Sequence, residues 1–146
     1  MDVIESTKLE NQLCFPLYAA SRLVTKCYLP VLDNLGITYP QYLVLMVLWE
    51  RDAVNLNFLS EKLKLQSNTL TPLLKRMQEI GLIDRVRSQK DERNIIITLT
   101  KKGKLLQKQA PKLHKQLLNN LGISLKEATQ LRFLLDKLIL QIGCEN

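Results

Sequence analysis

Along residues 66–100 the apolar positions change their period twice. Leu70, Leu73, Leu74, Met77 and Ile80 recur at steps of three and four, the stripe of an amphipathic helix. The opposite face holds Asn68, Thr69, Thr71, Lys75, Arg76 and Gln78. Pro72 requires this helix to start near Asn68, or one backbone hydrogen bond is lost. Gly81 stands where a helix ends in the left-handed conformation. Residues 82–87 and 94–99 then read as two strands, joined by the polar loop 88–93. A polar, basic helix followed by a charged hairpin is the order of a winged helix-turn-helix, in which the helix enters a major groove and the wing reaches the neighbouring minor groove or the backbone.

The flanking segments are helical by the same criterion. Residues 10–29 carry apolar positions at Leu13, Leu17, Ala20, Leu23, Val24 and Cys27, and Pro30 is expected to end that helix. Pro16 near its start costs little if the helix begins no earlier than about residue 12. Thr38, with Gln41 three residues on and Pro40 in the first turn, predicts a capping box. Residues 42–49 are apolar on every side, as in a helix buried over most of its surface. Asn55 is placed to cap a third helix bearing Leu56, Leu59 and Leu63, the first half of the helix-turn-helix. A fifth helix follows Thr100 and breaks at Leu121 and Gly122. Ser124 and Glu127 form a second capping box, for a sixth helix ending near Ile142.

The expected fold is therefore mainly α with a small β-hairpin wing, in the order α-α-α-α-β-β-α-α: a winged helix-turn-helix plus a helical dimerisation region. Within the single chain 1–146, residues 37–104 are assigned to DNA binding, and residues 1–36 and 105–146 to dimerisation. Leu117, Leu118, Leu121, Leu131, Leu134, Leu135, Leu138 and Ile142 exceed what so small a core needs. They read as an inter-subunit surface or as intramolecular core. Symmetry favours the dimer, since two half-sites one turn apart need two recognition helices.

Charge sharpens this picture. Residues 60–104 hold eleven Lys/Arg against five Asp/Glu, a net +6, while residues 1–59 net −2 and residues 105–146 net +3. The positive excess lies on the segment expected to meet phosphate. Ser67, Asn68, Thr69, Thr71 and Pro72 begin the recognition helix, with Lys75 and Arg76 one turn on. Short polar side chains suit base edges and phosphates, and Lys and Arg suit phosphates and guanine. At the wing, Arg93 is the candidate for minor-groove insertion, with Asp91 orienting its guanidinium. Arg85, Arg87, Ser88 and Lys90 are assigned to backbone contact.

No apolar run approaches the ~20 residues that span a bilayer, and the acidic N-terminus lacks signal-peptide features, so a cytoplasmic protein without a membrane partner is expected. Cys14, Cys27 and Cys144 have neither disulfide-framework nor zinc-ligand spacing, and no metal or cofactor is expected. Cys27 lies thirteen residues beyond Cys14, roughly 20 Å along one helix, too far for an intramolecular disulfide. It reads as a packing residue. Cys14 falls in or near a first helical turn, where free N–H groups and the dipole favour a thiolate, and Tyr18 shares its face. From the residues alone Cys14 reads either as this reactive thiol or as a buried structural cysteine. An enzyme is not expected: there is no C-x-x-C, and the one histidine, His114, is remote from Cys14 in sequence.

The chain resembles the MarR family, and more closely its organic hydroperoxide regulator branch. The resemblance rests on residues 9–18 (Leu-Glu-Asn-Gln-Leu-Cys-Phe-Pro-Leu-Tyr), 35–42 (Leu-Gly-Ile-Thr-Tyr-Pro-Gln-Tyr), 69–76 (Thr-Leu-Thr-Pro-Leu-Leu-Lys-Arg) and Asp91-Glu-Arg93. It implies a homodimeric repressor that holds an inverted-repeat operator in double-stranded DNA when reduced. Oxidation of Cys14 by an organic hydroperoxide then releases the operator. The resemblance further implies that Tyr18, and Tyr28 and Tyr39 of the other subunit, serve Cys14, with Tyr42 a competitor for the place of Tyr39. The family's resolving cysteine lies earlier than Cys144, so Cys14 is expected to end as a mixed disulfide with a low-molecular-weight thiol, the alternative being a disulfide with Cys144. The alternative is a regulator of the same fold released by a phenolic or lipophilic ligand at the dimer interface, without cysteine chemistry.

Overall fold

The computed structural model describes residues 3–143, and Cys144 lies outside them. The chain divides into two compact units, Met1–Pro111 and Lys112–Asn146. The first contains the helices α1 (Val3–Ser6), α2 (Cys14–Leu35), α3 (Tyr39–Glu50), α4 (Leu56–Leu63), α5 (Ser67–Glu79) and α6 (Lys101–Leu106), and the strands β1 (Val54–Asn55), β2 (Ile83–Arg87) and β3 (Ile95–Leu99). α7 (Ala110–Leu121) runs into the second unit, which also holds α8 (Leu125–Gly143).

Local chemistry sets most boundaries. The Thr38 and Gln41 side chains exchange hydrogen bonds with each other's backbone N–H, closing the expected capping box. Asn55 Oδ1 accepts from the Phe58 N–H at 2.9 Å at the head of α4. Gly81, at φ +77, ends α5: its N–H donates to the Gln78 carbonyl and the Leu82 N–H to that of Met77. The capping box of α8 is formed by Ser124 and Glu127.

Three expectations are corrected. Pro30 does not end the first long helix, which runs on to Leu35 and stops at Gly36, φ +67. Pro30 removes one N–H, but the turn beyond it is anchored by the fully buried Leu32 and by Ile37. The sheet has three strands, not two, in the order β1-β3-β2. Val54 pairs with Ile97 and Asn55 with Ile96, and a two-residue strand is too short to show alternation. The helix after Thr100 is interrupted by a 3-10 turn at Gln107–Gln109, because Pro111 has no N–H to offer the Gln107 carbonyl. The first long helix also starts later than residue 10, at Cys14, behind a 3-10 turn at Leu9–Asn11, and the short α1 has no counterpart in the sequence reading.

The core of the first unit sits where α3, α4 and α5 meet the sheet. Val44, Leu45, Leu48, Leu59, Leu70, Leu74, Met77, Ile83 and Ile97 are all essentially inaccessible. α3 is buried as its all-round apolar sequence requires. Among the described residues no single helix is long and apolar enough to cross a membrane.

Candidate DNA interface and thiol site

α5 presents the face that its periodicity assigns to it. Leu70, Leu74 and Met77 are buried, and Ser67, Asn68, Thr69, Thr71, Pro72, Lys75 and Arg76 are exposed. The helix starts at Ser67, so Pro72 lies inside it and the Asn68 carbonyl loses its backbone donor. The Thr71 hydroxyl donates to the Ser67 carbonyl at 2.8 Å, so this hydroxyl is turned back along the helix. Among the described residues no ion pair engages Lys75, Arg76, Arg87, Lys90 or Arg93. Their charge faces water.

The wing is an antiparallel hairpin in the register Ile83↔Leu99, Arg85↔Ile97 and Arg87↔Ile95. Its tip is shaped by side chains that bond the backbone. Ser88 Oγ accepts from the Lys90 N–H, and the Asp91 carboxylate accepts from the Arg93 N–H at 3.0 Å. Asp91 therefore fixes the turn that carries Arg93 and makes no ion pair with its guanidinium. This corrects the expected pairing: an Asx turn satisfies the carboxylate locally and leaves the guanidinium extended into solvent. Arg85 also departs from expectation. It is half-buried, and its Nε donates to Gln78 Oε1 on α5 at 2.8 Å.

The base of the wing is held by contacts that no local pattern announces. Trp49 Nε1 donates to the Gly103 carbonyl at 3.0 Å, and Asp52 Oδ1 accepts from the Leu99 N–H at 2.8 Å. Thr100 Oγ1 accepts from the Gly103 N–H and donates to the Gly81 carbonyl. The Lys102 ammonium reaches the Ile80 carbonyl at the end of α5.

Cys14 is the first residue of α2 and is exposed, as are Phe15 and Pro16. Leu13, in the N-cap position, supplies no side-chain cap, so the first-turn N–H groups remain open beside the thiol. Tyr18, one turn on, is exposed and lies under the Arg22 guanidinium, 5.2 Å from the ring centre. Cys27 is half-buried.

The structure gathers Tyr28 and Tyr39 but separates both from the Cys14 of their own chain. Their ring centres are 4.8 Å apart, and Tyr42 joins them 6.1 Å from Tyr28. Tyr42 in turn packs edge-on against Trp49. Tyr28 stands fourteen residues beyond Cys14 on α2, about 21 Å along the axis. Burial, and then the neighbouring phenols Tyr39 and Tyr42, push the Tyr28 hydroxyl up to about 12. Burial raises Tyr39 and Tyr42 as well. These hydroxyls stay protonated at neutral pH, and each keeps a proton to donate. Tyr42, expected only as a competitor for the place of Tyr39, stands beside it in the cluster, and Trp49 was absent from the sequence-derived site, where its apolar run marked it only as core.

Comparison with known proteins places this geometry. The family model of the transcriptional regulator SarA/Rot matches residues 26–109. The organic hydroperoxide resistance transcriptional regulator of Bacillus subtilis (strain 168) is 57% identical over 103 residues, 70% of each chain. Among solved structures, reduced AbfR bound to DNA is 40% identical with a TM-score of 0.80, covering 95% of both chains. Overoxidized AbfR bound to DNA is 39% identical with a TM-score of 0.75, covering 95% of this chain and 98% of that one. AbfR is a protein of Staphylococcus epidermidis.

Proposed function

The chain belongs to the MarR family of transcriptional regulators, in its organic hydroperoxide regulator branch, and from that premise we propose that it is a dimeric repressor switched by oxidation of Cys14. It is a DNA-binding transcriptional regulator and not an enzyme. The observation that carries the redox reading is the exposed Cys14 at the open N-terminus of α2, with an exposed tyrosine one turn away.

The Cys14 sulfur attacks one peroxide oxygen of an organic hydroperoxide. An S–O bond forms, the O–O bond breaks, and the thiol proton ends on the departing alcohol. Sulfur is oxidised to a sulfenic acid and the peroxide is reduced. A low-molecular-weight thiol then displaces the hydroxyl as water, leaving a mixed disulfide. Tyr18 shares the face of Cys14. Tyr28 and Tyr39 lie too far along the fold to reach the thiol of their own chain, which supports their meeting the Cys14 of a second copy. Exposed apolar side chains on α8 (Leu131, Phe133, Leu134, Leu140, Ile142) support a dimer of that kind. Residues 1–36 and 105–146 would form its dimerisation region, and residues 37–104 would read an inverted-repeat operator with α5 in the major groove and Arg93 in the minor groove. AbfR is recorded on DNA in an overoxidized form. For this chain we accordingly assign operator release to the bulky mixed disulfide rather than to oxidation as such.

The test is operator binding by reduced protein, before and after stoichiometric cumene hydroperoxide plus a small thiol, with intact mass recorded. Wild type should gain one thiol adduct and lose the operator, while Cys14→Ser should stay bound and unmodified. Continued binding by wild type that carries the adduct on Cys14 sinks the redox reading.

A further inference from the structure

The geometry points to Gln78 and Arg85 as a clasp that sets the angle between the recognition helix and the wing, with Arg85 a positioning residue rather than a phosphate ligand. The inference rests on the DNA-binding reading and does not need the redox switch. On β2 the two-residue period puts Ile83, Arg85 and Arg87 on one face of the sheet. Ile83 is fully buried, and so is Ile97, the residue paired with Arg85. Arg85 thus lies in the row of the sheet that packs on the helices. It lines a cavity of about 30 Å³ with Leu56, Thr71, Leu74, Ile95 and Ile97.

A guanidinium brought to such a face needs an acceptor, because an unpaired charge beside an apolar seam is costly. Gln78, in the last turn of α5, supplies it: Nε of Arg85 donates to its Oε1 at 2.8 Å. Among the described residues this is the one side-chain hydrogen bond between α5 and the hairpin. The other directional bonds lie at the junction itself, where the Leu82 N–H donates to the Met77 carbonyl and Thr100 and Lys102 bond the Gly81 and Ile80 carbonyls. A hydrogen bond falls off steeply with angle, so the clasp constrains how far the wing pivots over α5. DNA binding requires both elements to engage adjacent grooves at once, and a wing free to pivot must be ordered on binding, which costs affinity.

The test uses the reduced full chain and a duplex that wild type selects from a random-sequence pool. Affinity is measured across a salt series, with hydroxyl-radical cleavage reporting which sugars are protected. Gln78→Ala removes the acceptor at an exposed helical site where alanine is well tolerated. Arg85→Lys keeps the charge but loses the Nε geometry. Each is expected to bind about tenfold more weakly. Each should keep the salt dependence of wild type and lose protection chiefly at the wing's minor groove. The double variant should bind no more weakly than either single one. Wild-type affinity in Gln78→Ala overturns the clasp. So does Arg85→Lys binding normally while Arg85→Gln lowers the salt slope by about 0.9, the mark of one phosphate contact. A pool that yields no duplex overturns the DNA-binding reading, and the clasp with it.

Discussion

Tyr28 shows what a residue's neighbours add to its identity. Its hydroxyl is pushed up from 10.0 to about 12, first by burial and then by Tyr39 and Tyr42. The folded chain therefore holds this proton more tightly than the unfolded chain does. The stabilisation is complete below about pH 10 and is lost as pH rises towards 12. Denaturation midpoints of wild type should decline across that window, and Tyr28→Phe should lack this part of the decline. Equal slopes in the two proteins would remove the assignment. Helical spacing put Tyr18 on the face of Cys14, but the sequence placed Tyr28 and Tyr39 at the site only through their resemblance to a known pattern. That Tyr28 meets Tyr39 and Tyr42 while all three lie far from their own Cys14 depends on how α2 packs on α3, and no spacing encodes it. The same holds for Asp91 and Arg85. Both were legible as polar residues of a wing, yet one bonds a backbone N–H and the other a glutamine seven residues back.

Elements bounded by local signals were legible, and elements decided by packing were not. The capping boxes of α3 and α8, the Asn55 cap and the Gly81 stop each depend on residues within a few positions, and all formed as read. Proline was misjudged because its penalty is fixed while the compensation is tertiary. Pro30 is carried by the anchored turn beyond it, whereas Pro111 does break its helix. β1 exists only because β3 lies beside it. A close approach between elements is also invisible locally. A Cβ added to Gly103 would lie 2.3 Å from the Leu82 carbonyl oxygen, which is backbone and cannot step aside. Gly103→Ala should force α6 away from the start of β2 and strain the Trp49 bond to the Gly103 carbonyl. A loss of about 1–3 kcal/mol in chemical denaturation is expected. A variant as stable as wild type would mean that α6 shifts freely and does not hold the wing base.

For the whole molecule, α8 leaves Leu131, Phe133, Leu134, Leu140 and Ile142 exposed. Leu134, 60% exposed, and Leu131, 52% exposed, were read from sequence as subunit contacts. If they are, the melting temperature should rise with protein concentration, and Leu134→Asp should sediment as a monomer whose melting temperature no longer does so. A wild-type monomer at all concentrations would remove the dimer and, with it, the meeting of Tyr28 and Tyr39 with a second Cys14. The sequence by itself determined the class of the fold, the recognition helix and its polar face, the wing, the position of the positive charge and the thiol at a helix start. Each of these depends on periodicity, composition or a cap a few residues long. Tertiary structure alone decided that α2 survives Pro30, that a third strand completes the sheet, that Trp49 and Asp52 brace the wing base, and that Arg85 turns to Gln78 instead of outward. Those outcomes depend on which distant side chains become neighbours, and only the folded chain brings them together.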